Sequence, residues 1–149
     1  MRAIVQRVSE ASVSISGEST STIGRGLVVF VGIASGDTNK DAAWMADKIV
    51  QLRIFPDAQE KMNLSLADIG GEMLIVSQFT LQGDCRKGRR PGFSAAAAPE
   101  LAEPLYRRFI EEVLRHGIGT ATGTFQATMA VRLINDGPVT MMLDSTKLF

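Results

Sequence analysis

The sequence is poor in the residues that build disulfides, metal sites and catalytic dyads. It contains one cysteine, Cys85, and one histidine, His116, among 149 residues. A disulfide within the chain is therefore excluded, which suits a reducing compartment. A zinc site of three or four Cys and His ligands within one chain is excluded as well. We predict no metal ion and no cofactor.

Excess charge of one sign and long hydrophobic runs are also missing. Lys plus Arg and Asp plus Glu number 16 each, so any nucleic-acid site must be a local basic patch. The start has no apolar run of signal-peptide length, and no run is long enough to cross a bilayer. We expect a soluble, cytoplasmic protein without membrane contact. The length of 149 residues suits one domain spanning residues 1–149 and is too short for two.

Hydrophobic periodicity predicts the element order β-β-β-α-β-α-β-β. The predicted elements are about three strands before Ala34, a helix within 36–55, a strand over 72–81, a helix over 98–117, and strands over 124–135 and 139–145. This order favours an α/β domain in which sheet packs on sheet and helices cover an outer face, a three-layer α/β/β arrangement.

Apolar residues at three- and four-residue steps predict the buried stripe of each helix. In the first helix they are Ala42, Met45, Ile49 and Leu52. In the second helix they are Leu101, Leu105, Phe109 and Val113. Pro104 lies inside the second stripe, so that helix is expected either to start near Glu103 or to bend.

The segment Asn135–Pro138 lies between two apolar runs near the end of the chain. These residue types favour a hairpin turn, because Asn, Asp and Gly adopt turn conformations and Pro fixes one φ angle. However, Pro138 occupies the position where the second strand should begin, and it has no N–H to donate to a sheet. The residues alone leave two interpretations open, a plain turn or a Gly-Pro step that is presented to another group.

Ser77, Gln78 and Thr80 are polar residues near the end of an otherwise apolar strand. Simple alternation of the two strand faces explains them. Alternatively, a strand end can offer hydroxyl and backbone N–H groups to a ligand. An activated Ser77 would need a base, which only His116 could supply, and the place of His116 at a helix end argues against a Ser-His-Asp triad.

The segment Cys85–Phe93 places four positive charges within five positions, at Arg86, Lys87, Arg89 and Arg90. A solvated surface loop is the simpler interpretation. Alternatively, these side chains bind phosphate oxygens, and the glycine between them keeps the loop adaptable. The neutral total charge favours a small, local contact with nucleic acid over binding along a duplex.

Three motifs, in this order, resemble the D-aminoacyl-tRNA deacylase family, also known as D-tyrosyl-tRNA deacylases. They are SQFTL at 77–81, KGRRPGF at 87–93 and NDGPVT at 135–140. The stretches RAIVQRVSEASV, RIFPDAQEKMNLSL and GTFQATMAVRL are similar too, so the resemblance covers essentially the whole chain. Each motif alone is weak, but their combination is specific. Pro104 is one mild departure, because the family helix does not require it.

The resemblance implies an enzyme that hydrolyses the ester between a D-amino acid and the 3′-terminal adenosine of tRNA and spares L-aminoacyl-tRNA. It also implies a homodimer with two sites at the subunit interface. Each site would combine the catalytic strand end Ser77-Gln78-Phe79-Thr80 of one subunit with a cis Gly137-Pro138 step of the other. The carbonyl groups of that step would meet the α-amino group and leave no space for an L side chain. Glycine would pass, because it has no side chain.

The implied chemistry does not need a strong side-chain base, because an aminoacyl ester is already labile. We expect backbone N–H groups near Phe79 and Thr80, with the Thr80 hydroxyl, to stabilise the oxyanion, and the adenosine 2′-hydroxyl to activate water. A nucleophilic Thr80 has less support, since the sequence offers it no nearby base. By the same resemblance Phe125 and Met129 line an adenosine pocket, although core positions of an alternating strand explain them equally well. The basic loop would then contact tRNA phosphates.

Three other interpretations belong to different classes of protein. A module that binds tRNA ends without cleaving them would fail an ester-hydrolysis assay. A small β-rich interaction protein, in which NDGPV is only a turn, would be a monomer in solution. A general esterase would cleave aryl esters and lose that activity on Ser77→Ala.

Overall fold

The computed structural model describes all 149 residues. The strands are β1 Arg2–Ile15, β2 Glu18–Ile23, β3 Gly26–Gly32, β4 Phe55–Pro56, β5 Met62–Leu64, β6 Glu72–Ser77, β7 Gly119–Thr122 and β8 Ala130–Asp144. The helices are α1 Asn39–Gln51 and α2 Pro99–Arg115, and a short 3-10 turn spans Phe79–Gln82. Neither helix is long and apolar enough to cross a membrane.

Six of the strands form one mixed sheet. Its order is β2-β1-β3-β6-β7, and β8 pairs with β1. The pairs β3–β6 and β6–β7 are parallel, whereas β1 is antiparallel to β2, β3 and β8. The short strands β4 and β5 pair separately with each other.

The sheet folds back on itself, so that it has two hydrophobic cores. The larger core lies where the sheet meets the helices and includes Val29, Ile49 and Phe109. The smaller core brings Val13 of β1 against Val28 and Leu74 of the central strands. The predicted α/β class, with sheet packed on sheet and helices on an outer face, is confirmed, and the two sheet layers belong to one continuous sheet.

The hairpin turn predicted at Asn135–Pro138 is wrong. The segment lies inside the single strand β8, and both halves of that strand pair with β1. Gln6 pairs with Thr140 and Val8 pairs with Asn135, so residues 136–139 lie opposite Arg7 alone. This segment, the 136–139 bulge, leaves the ladder and then rejoins it, as bulges do. The Gly137-Pro138 peptide bond within it is cis, as the resemblance implies.

The strand predicted over 72–81 ends at Ser77, and the strand predicted over 124–135 begins only at Ala130. The Phe79–Gln82 turn replaces the end of the first strand. Gln126 has a φ of 62°, which is incompatible with an extended strand. Three short strands were not predicted, β4, β5 and β7, because two to four residues carry too little periodicity.

Helix α2 lies within the predicted range. It begins at Pro99 and continues through Pro104, so the alternative of a start near Glu103 is wrong. Phe109 and Val113 are buried as predicted, but Leu101 is 58% exposed and Tyr106 takes a core position instead. In α1, the predicted residues Ala42, Met45 and Ile49 are buried, whereas Leu52 lies just beyond the helix end and is half-buried.

Candidate active site

A cavity of about 430 Å³ opens where the parallel strands β3 and β6 end. Ser77, Gln78 and Phe79 form one wall. Residues at the start of α2, together with Phe125 and Gln126, form the opposite side. The ends of parallel strands commonly bind ligands, because backbone groups there are not used in the sheet.

The Phe79–Gln82 turn is bound to the sheet by contacts on both sides. The Gln78 N–H donates to the Val31 carbonyl at 2.8 Å, and the buried Gln82 amide donates to the Gly32 carbonyl at 2.8 Å. The Arg2 guanidinium donates to the Leu81 carbonyl at 3.0 Å. These bonds fix the turn beside the cavity.

Gly32 allows the turn to approach β3 closely. A Cβ atom at this position would lie 2.7 Å from the Gln78 carbonyl oxygen and 2.8 Å from the Leu81 Cβ. Both distances are too short for a side chain, so a larger residue would displace the turn. The place of the turn is therefore set by backbone contact with β3.

Phe79 and Thr80 are the first residues of the turn. Their backbone N–H groups donate none of the turn, loop or cap hydrogen bonds. Free N–H groups are expected at the start of a helical turn. Nearby, the Gln78 amide donates to the Thr80 hydroxyl. Adjacent N–H groups beside a cavity can bind an anionic oxygen.

No ionisable side chain lines this cavity. His116 caps the end of α2 instead, with its Nε2 atom 3.7 Å from the Asp47 carboxylate. A Ser-His-Asp triad is therefore not formed around Ser77 in this chain. No group of three or more His, Cys, Asp or Glu side chains is arranged to hold a metal ion. The polar groups beside the cavity are backbone N–H groups, a hydroxyl and side-chain amides.

Phe125 is positioned by a buried tyrosine. The Tyr106 hydroxyl donates to the Ile75 carbonyl at 2.9 Å, and the two aromatic rings lie 5.9 Å apart between centroids. Burial raises the pKa of Tyr106, so the hydroxyl stays a donor. Met129 does not line the cavity; it packs against the smaller core and beside Gly123.

The 136–139 bulge is bound by Arg7, which is only 8% exposed. The Arg7 Nε donates to the Asp136 carbonyl at 3.2 Å and lies 3.1 Å from its carboxylate, while Nη1 donates to the Ile54 carbonyl at 2.6 Å. The Asn135 amide donates to the carbonyls of Arg7 and Val139, both at 3.0 Å. The bulge is thus held firmly although its tip, Gly137 and Pro138, is exposed and lies outside the cavity of its own chain.

The loop between Asp84 and Gly92 presents the predicted basic residues. Its ends pair through two backbone hydrogen bonds of 2.7 and 2.9 Å. Asp84 accepts two hydrogen bonds from the Arg86 guanidinium, which hold the pKa of that carboxyl well below its usual range. Arg86, Lys87 and Arg90 line an open cavity of about 580 Å³ that has no hydrophobic lining residue. Arg89 is exposed nearby in sequence.

Three residues that support the two segments were not predicted from the sequence. Gln82 and Arg2 left no local signal, since their partners Gly32 and Leu81 lie far away in sequence. Arg7 did leave one. In the alternating pattern of β1, Arg7 falls on the same inward face as the buried residues Ala3 and Val5. A charged side chain that faces the core usually has a specific partner.

Known proteins match this chain over its whole length. A family model described as D-Tyr-tRNA(Tyr) deacylase matches residues 4–144. Proteins named D-aminoacyl-tRNA deacylase from Desulfotalea psychrophila and Syntrophobacter fumaroxidans are 60% and 56% identical over 149 residues, with 100% of both chains covered in each case.

Two solved structures have a similar fold. One, described as c-Myc DNA Unwinding Element Binding Protein, is 44% identical with a TM-score of 0.91, covering 97% of this chain and 98% of that one. The other, described as a probable eukaryotic D-amino acid tRNA deacylase, is 21% identical with a TM-score of 0.82, covering 95% and 97%. At that identity, the second likeness concerns the fold alone.

Proposed function

This chain belongs to the D-Tyr-tRNA(Tyr) deacylase family, and we propose that the cavity beside Ser77 is its active site. The enzyme hydrolyses D-aminoacyl-tRNA, and aminoacylated tRNA is therefore its partner. The observation that carries the assignment is the pair of adjacent N–H groups at Phe79, which lines the cavity, and Thr80, which follows it; neither N–H donates a turn, loop or cap hydrogen bond. They can stabilise the charge that develops on the ester carbonyl oxygen.

Hydrolysis in this site adds water to the carbonyl carbon of the ester. The carbonyl oxygen becomes an oxyanion that accepts hydrogen bonds from the N–H groups of Phe79 and Thr80. The C–O bond to the 3′-oxygen of adenosine then breaks, and that oxygen takes a proton to become a hydroxyl. The attacking water passes its proton to solvent through the neighbouring 2′-hydroxyl, because no side-chain base lines the cavity.

Ser77, Gln78 and Thr80 position this reaction. The Gln78 amide donates to the Thr80 hydroxyl, which leaves the hydroxyl proton free to point toward the oxyanion. A nucleophilic Thr80 would need a base to remove its proton, and the cavity offers none. The two roles differ in their response to Thr80→Ala, since the variant keeps the backbone N–H. We expect a loss of about 100-fold in kcat, as for removal of one oxyanion donor, whereas loss of a nucleophile would abolish activity.

Chiral selection comes from a second copy of the chain. The Gly137-Pro138 tip is exposed, lies outside its own cavity and is held in place by Arg7, as suits a probe that enters a partner's site. Exposed apolar side chains on β8, Ile134 and Met142, support a subunit contact along this strand. The backbone of the tip binds the α-amino group and excludes an L side chain, so glycine esters are also cleaved.

The remaining assignments follow the same substrate. Phe125 stacks on the adenine, and Met129 supports the 123–126 segment that carries it. The basic side chains Arg86, Lys87, Arg89 and Arg90 contact tRNA phosphates. The whole chain acts as one domain, and we place it in the cytoplasm, where tRNA is aminoacylated.

Stereochemistry is tested with matched D-tyrosyl-tRNA and L-tyrosyl-tRNA, following loss of the ester. Rapid cleavage of the D form with the L form intact is expected. Equal rates would contradict selection by the Gly137-Pro138 tip. Glycyl-tRNA completes the series and should be cleaved, because no side chain meets the tip.

The shared site is tested by mixing two inactive variants. Ala102→Phe fills the cavity, and Gly137→Ala disturbs the tip. After subunit exchange, half of the dimers combine one subunit of each type, and one of their two sites has both parts intact, so roughly a quarter of wild-type activity returns. No recovery, with exchange verified by mass, would mean that each chain holds a complete site.

A further inference from the structure

Two exposed aromatic rings lie between the cavity and the basic loop. Phe79 is 58% exposed and Phe93 is 37% exposed. Their centroids are 5.1 Å apart with the ring planes at 67°, an edge-to-face contact. Large exposed apolar side chains that cluster beside a binding site commonly form part of it.

The pair is fixed in position. Phe93 follows Gly92, whose backbone pairs with Asp84 at the base of the basic loop. On its other side the Phe93 ring lies close to Gly83, where an added Cβ would be 3.1 Å from it. Phe79 belongs to the turn that β3 supports. Both rings are therefore preorganised without being buried.

The pair connects the two surfaces that the substrate would use. Phe79 lines the cavity for the aminoacylated adenosine, whereas Gly92 and Ser94, on either side of Phe93, line the basic cavity. A polynucleotide that leaves the first cavity toward the second must pass over these rings. Along this path, the two phenylalanine rings would meet a nucleobase of the polynucleotide, and the cationic side chains of the basic loop would meet its phosphates.

We propose that the Phe79–Phe93 pair binds, by stacking, the base of the nucleotide that precedes the 3′-terminal adenosine. The inference rests on the proposed function, because it assumes that the cavity holds that adenosine. The 3′ end of tRNA is unpaired, so its bases are free to stack on protein. Aromatic stacking tolerates any base, because every base has a π face, and it suits an enzyme that accepts many tRNAs.

The test compares D-tyrosyl-adenosine, which lacks the preceding nucleotide, with D-tyrosyl-CCA trinucleotide, which contains it. In wild-type enzyme the trinucleotide should have the higher kcat/KM, mainly through a lower KM. In Phe93→Leu the ratio of the two kcat/KM values should fall about tenfold, the usual effect of losing one stacked base. Phe93→Tyr keeps the ring and should restore the ratio.

Each other outcome overturns the stacking site. Equal losses on both substrates in Phe93→Leu would mean that Phe93 only supports the turn at Phe79. Equal kcat/KM values for the two esters in wild-type enzyme would mean that the preceding nucleotide is not bound. A reduced dimer mass for Phe93→Leu would assign the ring to the subunit interface. Wild-type enzyme that cleaves neither ester would refute the proposed active site as well, so the two failures are distinguishable.

A second measurement observes the base directly. A non-hydrolysable trinucleotide with 2-aminopurine at the penultimate position should lose fluorescence on binding to wild-type protein, because stacking quenches it. Phe93→Leu should bind it with little quenching, and Phe93→Tyr should quench it. Equal quenching by wild-type protein and Phe93→Leu would overturn the proposal.

Discussion

The Phe79–Gln82 turn and the 136–139 bulge both interrupt the regular sheet, and an arginine of β1 binds each of them. Arg2 donates to the Leu81 carbonyl in the turn, and Arg7 donates to the Asp136 carbonyl in the bulge. Both arginines also contact a carboxylate, Asp144 for Arg2 and Asp136 for Arg7. The same type of contact therefore stabilises both parts of the proposed composite site.

The two segments differ in how many supports they have. The turn is also bound by Gln82 and fits closely against Gly32, and the Arg2 side chain is 32% exposed. The bulge is bound by Arg7, whose buried guanidinium also donates to the Ile54 carbonyl, and by the Asn135 amide, which donates to the Arg7 and Val139 carbonyls. Loss of Arg2 leaves other supports in place, whereas loss of Arg7 leaves the buried Ile54 carbonyl and the part-buried Asp136 carbonyl without this donor. The bulge should therefore be more sensitive to a single substitution than the turn.

Arg7→Ala should have the largest effect. It leaves buried acceptors without a donor, which is expected to lower the free energy of unfolding by about 2–4 kcal/mol. Displacement of the bulge should reduce D-aminoacyl-tRNA hydrolysis about 100-fold, because small misplacements of binding groups cost rates of this order. Urea unfolding and single-turnover ester cleavage measure the two effects.

The matched control is Arg107→Ala, which removes an arginine of helix α2 whose side chain is 71% exposed. Exposed substitutions of this kind usually change stability by less than about 0.5 kcal/mol. If Arg7→Ala is no more damaging than Arg107→Ala, the bulge does not depend on Arg7 and the comparison fails.

Gly137→Ala isolates the tip of the bulge. Gly137 has a φ of 116°, and an added Cβ would lie 2.6 Å from the Arg7 Nη2 and 3.0 Å from Val139. The strained backbone and the clash should cost about 1–3 kcal/mol of stability and displace Arg7. Cleavage of the D ester should be lost with it, so the ratio of D to L rates should fall.

Gly17→Ala is the control that separates the effect of backbone strain from the effect of a side-chain clash. Gly17 has a φ of 85° but no atom within 4 Å of an added Cβ, so it carries the backbone cost alone. It should lower stability and leave the D-to-L ratio intact. A loss of selectivity in Gly17→Ala equal to that in Gly137→Ala would show that general destabilisation, and not the tip, controls selectivity.

The turn and the bulge also show which features of the structure could be predicted from the sequence and which could not. Buried runs in β3 and β6 and the stripes of α1 and α2 were predictable, because local periodicity determines them. The turn after Ser77 was not, since Gln82 needs Gly32 and Arg2 comes from the start of the chain. The continuity of β8 was not predictable either, because it follows from pairing both halves with β1. The motifs pointed to the segments of the proposed site, whereas contacts distant in sequence determine how these segments are held.

Arg2→Ala should have a moderate effect that depends on pH. Burial opposes ionisation of Asp144, but hydrogen bonds from Thr146 and Arg2 outweigh it and lower the pKa of that carboxyl. A lowered folded-state pKa adds stability above the unfolded value near 3.9, and this stability is lost as pH falls through the folded pKa. Removal of Arg2 raises that pKa, so acid unfolding should begin at higher pH.

Unfolding free energies between about pH 3 and 7 measure this effect, with a loss of about 1 kcal/mol expected at neutral pH. Asp144→Asn is the control, since it removes the titrating group and should flatten the acid limb. If Arg2→Ala destabilises the protein as much as Arg7→Ala does, the turn has no independent support from Gln82 and Gly32.

The smallest effect on the fold is expected in the basic loop, which has neither a buried arginine nor a core contact. Lys87, Arg89 and Arg90 are exposed, so their replacement by Gln should leave the unfolding midpoint unchanged. It should weaken tRNA binding several-fold and reduce the slope of log K against log salt by about 0.7–0.9 for each phosphate that the variant no longer neutralises.

The control is Asp84→Asn combined with Arg86→Gln, which removes a salt bridge and leaves the net charge unchanged. Because that pair is already self-neutralised, the double variant should alter the salt slope less than the triple variant does. An unchanged slope in the triple variant would mean that the loop is only solvated, and that tRNA is held by the cavity and the bulge alone.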